Sequence, residues 1–348
     1  MRFYVSTYTE GFFNEGPNGS KGIYLCEFNQ TSNELKILNT TSNSINPSFI
    51  KLNKTKDCLF VGCEKLPPSR IDNYLVDNDG NLKFNDSVTL DYRSICYVSN
   101  NDDHSFVTFA NYGSGEVFAY AYDNNYKFVK PLNSFRNNNN EIGPNTKRQE
   151  LPHAHSIRFI EALNTFVSCD LGCDKISFFD VDGQNIKQSL IKEIKVNAGY
   201  GPRHSVNTKD GKYLYISCEL ANRILAFELV NGEYVLIDDI SSLARNCVSE
   251  NTCADIHISD DDKYIFVSNR GSDSIGQFEI NEDGKLKLIK HVYACGKGPR
   301  NFALCDDFII CANQDSNNCS ILEIKNGLLT GKKLASVDII SPVCIEKL

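Results

Sequence analysis

The chain has no tryptophan and a single methionine in 348 residues, so the large side chains of any core must come from its 21 Phe and 16 Tyr. It lacks a run of about 18 apolar residues, which excludes a membrane-crossing helix. It lacks an amphipathic helical pattern, a G-x-S-x-G nucleophile elbow and a glycine loop leading into a helix; NYGSG at Asn111–Gly115 reads as a tight turn. It lacks a surplus of positive charge: 36 Lys and Arg stand against 44 Asp and Glu, a formal net charge of −8. That balance argues against nucleic acid as a partner and repels anions unless Arg and His are gathered locally. The opening MRFYVSTYTEG runs straight into an alternating strand without a charged-then-apolar leader. Fourteen cysteines are present, but none forms a C-x-x-C pair. Scattered through strands such as LFVGC, TFVSC and YLYISC, they read as small core hydrophobes in a reducing compartment. The expectation is a cytoplasmic protein with no membrane partner.

What is present is a unit repeating about every 50 residues. Each copy starts with a polar or Pro-containing step into an apolar strand. A second apolar strand follows, ending in Asp, Asn or Glu, and then a third with a buried aromatic. PHAHSIRFIEALNTFVSCDLGCDKISFFDVD, PRHSVNTKDGKYLYISCELANRILAFELV and DIHISDDDKYIFVSNRGSDSIGQFEI are three copies. Several short strands at this period are the mark of a propeller blade. Second strands fall at Arg2–Thr7, Cys58–Glu64, Ser105–Asn111, Thr165–Asp170, Tyr213–Glu219, Tyr264–Arg270 and Phe308–Gln314. First strands start near Asn46, Cys96, His153, Arg203, Asp255, Arg300 and Pro342. The chain therefore opens inside a blade and closes on a lone first strand, SPVCIEKL. The predicted fold is an all-β, seven-bladed propeller over residues 1–348, a single domain sealed by pairing of the terminal strand with the N-terminal three. A polar insertion, 133–151, is expected to fold over the channel mouth.

In such a blade the start of the first strand and the end of the second share a face. An inner set then comprises Pro47, Tyr97, His153, His155, Arg203, His204, Asp255, His257, Arg300 and Asn301. An outer set comprises Glu64, Asn111, Asp170, Glu219, Asn269, Arg270, Asn313 and Gln314. Four of the six histidines fall in the inner set. Strand-end Asp and Asn commonly serve turns, and Glu64, Asn111 and Asp170 can each be read that way. Arg203, Arg270 and Arg300 are harder to account for structurally. Guanidinium groups converging on a partly dry mouth repel one another unless anions offset them; Glu219 and Asp255 do so in part, and an anionic ligand would supply the rest.

At these residues the sequence resembles the seven-bladed lactonase propellers, a family that includes a bacterial type of 6-phosphogluconolactonase and the fungal carboxy-muconate cyclase. The resemblance runs through GPN-x-x-RQE-x-PHAHS (Gly143–Ser156), CDLG, GPRHS, the strand ending in CEL, ADIHIS, SNRG-x-DSI, and GPRNF followed by ANQDS. It implies a catalytic group of His155, Arg203, Glu219 and Arg270, with no cofactor. His153, His204, Asp255, His257, Arg300, Asn301, Gln314 and Asp170 would bind substrate. One departure stands out: many relatives carry Pro-His or Cys-His at the second of these first strands, and this chain carries Cys96-Tyr97.

The expected activity is hydrolysis of a small anionic lactone, 6-phosphogluconolactone foremost, which would place the protein in the pentose phosphate pathway as a monomer or small homo-oligomer. Water attacks the ring carbonyl, His155 takes the proton with Glu219 as partner or fallback base, and Arg side chains stabilise the oxyanion and hold the phosphate. Three other readings are open. Cycloisomerisation of an unsaturated dicarboxylate would use the same groups. A calcium-dependent lactonase would use the outer set as ligands, against the crowd of cations there. A non-catalytic binding platform is the third.

Overall fold

A computed structural model describes residues 1–11, 19–65, 67–244 and 250–348. Among the described residues, strands assemble into seven antiparallel sheets, six with four strands and one with five, and helix is confined to short 3-10 turns. The seven-bladed propeller is therefore the observed fold. The second strands lie at Arg2–Thr7, Cys58–Cys63, Phe106–Asn111, Thr165–Asp170, Tyr213–Cys218, Tyr264–Arg270 and Phe308–Asn313, close to where the repeat places them. The repeat leaves out a fourth, outer strand in each blade. That strand is mostly exposed on both faces, as in Glu34–Thr41 and Leu328–Asp338, so no apolar alternation marks it in the sequence.

The seven first strands stand next to one another in a closed ring around the axis. Between successive blades lie seven apolar clusters that join residues of two neighbouring sheets. In one of them Val167, Ile176 and Phe178 meet Ile216, Leu225 and Phe227. Phenylalanine supplies the bulk that tryptophan would have given, with Phe60, Phe109, Phe166 and Phe278 among the fully buried side chains. The described cysteines are all free, and all but Cys295 and Cys305 are buried; Cys247 lies outside the described residues.

Closure is as expected. Pro342–Lys347 pairs antiparallel with Arg2–Thr7, Val5 opposite Ile345, and completes the sheet that continues through Ile23–Asn29 and Glu34–Thr41. Val343, Cys344 and Ile345 are at most 5% exposed. Burying them is worth roughly 1.5–3 kcal/mol each for the larger side chains, and ladder bonds add to that. The total approaches the ~5–15 kcal/mol net stability of a whole domain. Deleting residues 342–348 should therefore abolish the cooperative calorimetric transition. A truncated chain melting within a few degrees of the full one would show that the seal is dispensable.

Candidate active site

One local device recurs in all seven first strands. Where each begins to pair with its second strand, the register slips and at least one residue is left unpaired. Such a bulge kinks a strand and re-aims its side chain. The skipped residues are Ser48, Cys96, His155, Arg203, Ala254 with Asp255, Arg300 and Val343. His155, Arg203 and Arg300 thus arrive at the same end of the channel from three separate blades.

They converge on carboxylates at the ends of second strands. Glu219 follows Tyr213–Cys218 and is held by its own N–H donating to Gly201 O at 2.8 Å. Its Oε2 accepts from Arg203 Nε at 2.8 Å and is ion-paired with Arg270 at 2.9 Å, and His155 Nε2 lies 3.8 Å away. Its Oε1 accepts from Arg148 at 2.6 Å. Next to this group, Arg300 lies 3.6 Å from Glu64 Oε2 and 5.3 Å from the centre of the Tyr8 ring, while the Tyr8 hydroxyl donates to Glu64. His155, Arg203, Glu219 and Glu64 are all at least 95% buried. The Nε of Arg270 is buried with no partner among the described residues.

The electrostatics follow from this crowding. Burial acts to raise the pKa of Glu219, but the guanidinium groups of Arg270, Arg203 and Arg148 outweigh it and hold the carboxyl well below the usual range. Burial, followed by the charge of Arg203, pushes His155 well below an ordinary imidazole, so it is neutral at pH 7. Glu64 moves the other way: burial raises it, against the opposing pull of Arg300. Glu219 is a fixed anion and a poor base, whereas His155 in its neutral form is able to accept a proton.

Of the four residues expected to form the catalytic group, Arg203, Arg270 and His155 thus all stand within 3.8 Å of Glu219. Arg300 stands beside them. Arg148, Tyr8 and Glu64 complete the cluster; Glu64 ends a strand as turn-making residues do, and Arg148 lies outside the repeat. Arg148 comes from the expected 133–151 insertion, of which residues 133–136 belong instead to the outer strand Phe128–Arg136 and the remainder reaches the mouth. Gly143 N donates to Gly172 O, Gln149 Nε2 to Leu171 O and Asn137 Nδ2 to Asp170. The insertion passes so close that a Cβ on Gly172 would stand 1.9 Å from Leu151 O. Arg148 also reaches the Tyr112 hydroxyl, and Tyr112 stacks on His153 at 4.2 Å. His153 Nδ1 donates to Tyr112 O. His153 therefore braces the platform that carries Arg148.

Other expected substrate contacts are placed differently. Asp170 is occupied by structure, accepting from the backbone N–H of His153 and Cys173 and from Asn137. Gln314 follows the strand end, its N–H donating to Gly298 O. His204, Asp255, His257 and Asn301 form a second layer along the axis. Asp255 accepts from His204 Nδ1 at 2.7 Å, His257 Nε2 at 2.9 Å and Asn301 Nδ2 at 2.6 Å, and Arg203 reaches the His204 ring at 3.2 Å. These four line a cavity of about 940 Å³ that opens on the opposite face, where the first strands end. In the outer set, Asn111 Oδ1 accepts from Ser114 N and Asn269 Oδ1 from Ser242, while Asn313 Oδ1 is buried with no hydrogen-bond partner among the described residues.

A profile described as "Lactonase, 7-bladed beta-propeller" matches residues 2–347. The chain belongs to this lactonase family. It is 30% identical to a 6-phosphogluconolactonase of Bacillus subtilis over 99% of this chain and 97% of that protein. It is 33% identical to a 6-phosphogluconolactonase of Formosa agariphila, covering 92% and 93% of the two chains. Among solved structures, the periplasmic gluconolactonase of Pseudomonas aeruginosa superposes with a TM-score of 0.89 at 23% identity, over 99% of each chain. The lactonase fold and the Arg–Glu–His cluster thus coincide in one molecule.

If His155 is the base, its depressed pKa sets the pH profile. It must be deprotonated to act, and its pKa lies below 6.5, so kcat/KM should be flat above pH 6.5 and fall only at lower pH. An acid limb centred at or above 6.5 would exclude His155. Arg148→Ala should raise KM more than it lowers kcat, since it removes an exposed arm and leaves the buried group intact; steady-state kinetics checks this.

Proposed function

We propose that the chain hydrolyses 6-phosphogluconolactone to 6-phosphogluconate, as its relatives' names suggest, and that the mouth cluster is the site. The observation that carries this reading is the charge count. Four guanidinium groups, Arg148, Arg203, Arg270 and Arg300, face two carboxylates, Glu64 and Glu219, with His155 neutral. Two positive charges are left over in a protein whose overall charge is −8. A phosphate monoester dianion balances them, and guanidinium forks match its oxygens.

Water bound between substrate and His155 attacks the lactone carbonyl while Nε2 accepts its proton. The carbonyl oxygen becomes the oxyanion, stabilised by Arg203 and Arg270, which Glu219 holds in position. Collapse breaks the ring C–O bond, and the His155 imidazolium returns the proton to the departing oxygen. Glu219 stays ionised and stabilises that imidazolium from 3.8 Å. Arg300, with Arg148 from the insertion, holds the phosphate. Free cysteines throughout the described chain accord with a reducing cytoplasm and a role in the pentose phosphate pathway.

His155→Asn should lower kcat by about 10²–10⁴ with any lactone. Arg300→Met should weaken 6-phosphogluconolactone by tenfold or more in kcat/KM, the scale of a lost charged hydrogen bond of ~1.5–3 kcal/mol. The same change should leave gluconolactone nearly untouched. Equal losses on both substrates would remove phosphate recognition from this site, and hydrolysis of neither by the unaltered protein would end the reading.

A further inference from the structure

The departure at Cys96-Tyr97 lies away from the mouth. The residue after each bulge turns toward the other end of the channel, so Tyr97 lines the 940 Å³ cavity with Phe49, His204 and Asn301. Its ring stacks on Phe49 at 4.2 Å and meets His204 edge-on at 5.0 Å, which fixes its orientation. Among the described residues its hydroxyl has no hydrogen-bond partner within the protein. Arg158, from strand Ala154–Ile160, enters the same cavity. It donates to Asn207 Oδ1 at 2.7 Å and has no carboxylate within ion-pair distance among the described residues.

The other deep charges of this cavity are matched. Lys51 pairs with Glu346 at 2.8 Å, and the oxygens of Asp255 are covered by His204, His257 and Asn301. At the rim Lys54 faces Asp103 and Glu161, and Asp260, Asp262, Lys56, Lys209 and Lys347 also line the cavity. Arg158 lines this volume, which is large enough for a small ligand, without an ion-pair partner among the described residues. Its guanidinium and Tyr97 line the same cavity.

We propose that this cavity is a second binding site, taking a small oxyanion, carboxylate or phosphate, between the guanidinium of Arg158 and the hydroxyl of Tyr97. A guanidinium fork and a phenol present three donors to such a group, and the stacked Phe49–Tyr97 pair gives its carbon skeleton a face to lie on. The site is separated from the mouth by the layer of His204 and Asp255, and it stands whatever the mouth hydrolyses.

Calorimetric titration of the full chain with inorganic phosphate and, separately, with gluconate tests it and distinguishes the two sources. At least one of the two ligands should show a site that Arg158→Met abolishes and that persists in Arg300→Met, a change confined to the mouth. Tyr97→Phe should weaken the same site about three- to tenfold, the scale of one neutral hydrogen bond. Arg158→Lys, which keeps the charge but not the fork, should bind more weakly than the wild type and more tightly than Arg158→Met, and covers the case in which the methionine variant does not fold. Binding of both ligands unchanged by Arg158→Met, or no binding beyond what Arg300→Met removes, would overturn the assignment.

Discussion

Everything in this molecule depends on one strand pairing across the two ends of the chain, Arg2–Thr7 against Pro342–Lys347. An open stack of six and a fraction blades would leave two sheet edges and one interblade surface in water. Sealed, it has a cluster of apolar side chains between every pair of blades, and the cluster beside the seal joins Phe3, Val5 and Phe28 to Phe308, Ile310 and Ile321. The ring then has no soft coordinate along which the axis can widen. A rigid axis is what lets side chains from positions 64, 155, 203, 219, 270 and 300 meet within a few ångströms, since each is fixed by its own blade and no loop has to fold to bring them in.

The second constraint is electrostatic. Glu219 is the anion around which Arg148, Arg203 and Arg270 are arranged, and without it those cations would repel one another in a desolvated mouth. The same arrangement separates the roles of the titratable groups. The carboxyl surrounded by guanidinium groups is locked in its charged form, and the imidazole beside Arg203 is locked in its neutral form. Neighbouring groups pushed in defined directions by their surroundings are the usual ground for assigning acid, base and stabiliser.

Much of this could be read from the residues. The repeat placed the first and second strands, their number and the closing pair, because each such strand is buried and bounded by turn residues. The repeat put His155, Arg203, Glu219 and Arg270 among the strand-start and strand-end residues of one mouth, and the resemblance to the lactonase propellers singled them out from the rest. The outer strands were illegible because both their faces are largely solvated, so no alternation marks them. Arg148 was illegible because it joins Glu219 across 71 residues from an insertion that belongs to no repeat. The sorting of adjacent residues such as Arg203 and His204 to different ends of the axis was hidden as well. It rests on a one-residue slip in pairing, which leaves no trace in hydrophobicity.

That slip has an evolutionary reading. The unpaired position in each first strand is released from the cross-strand ladder, so its side chain is chosen with little reference to the packing of the blade. Three of the seven carry His or Arg, while two carry Ser48 and Cys96, small groups whose polar atoms reach backbone carbonyls of the next blade. The ring is in effect a turret with interchangeable stations, some armed and some idle. A lineage could arm an idle one by single substitutions and acquire a new substrate while the propeller around it stays as it is.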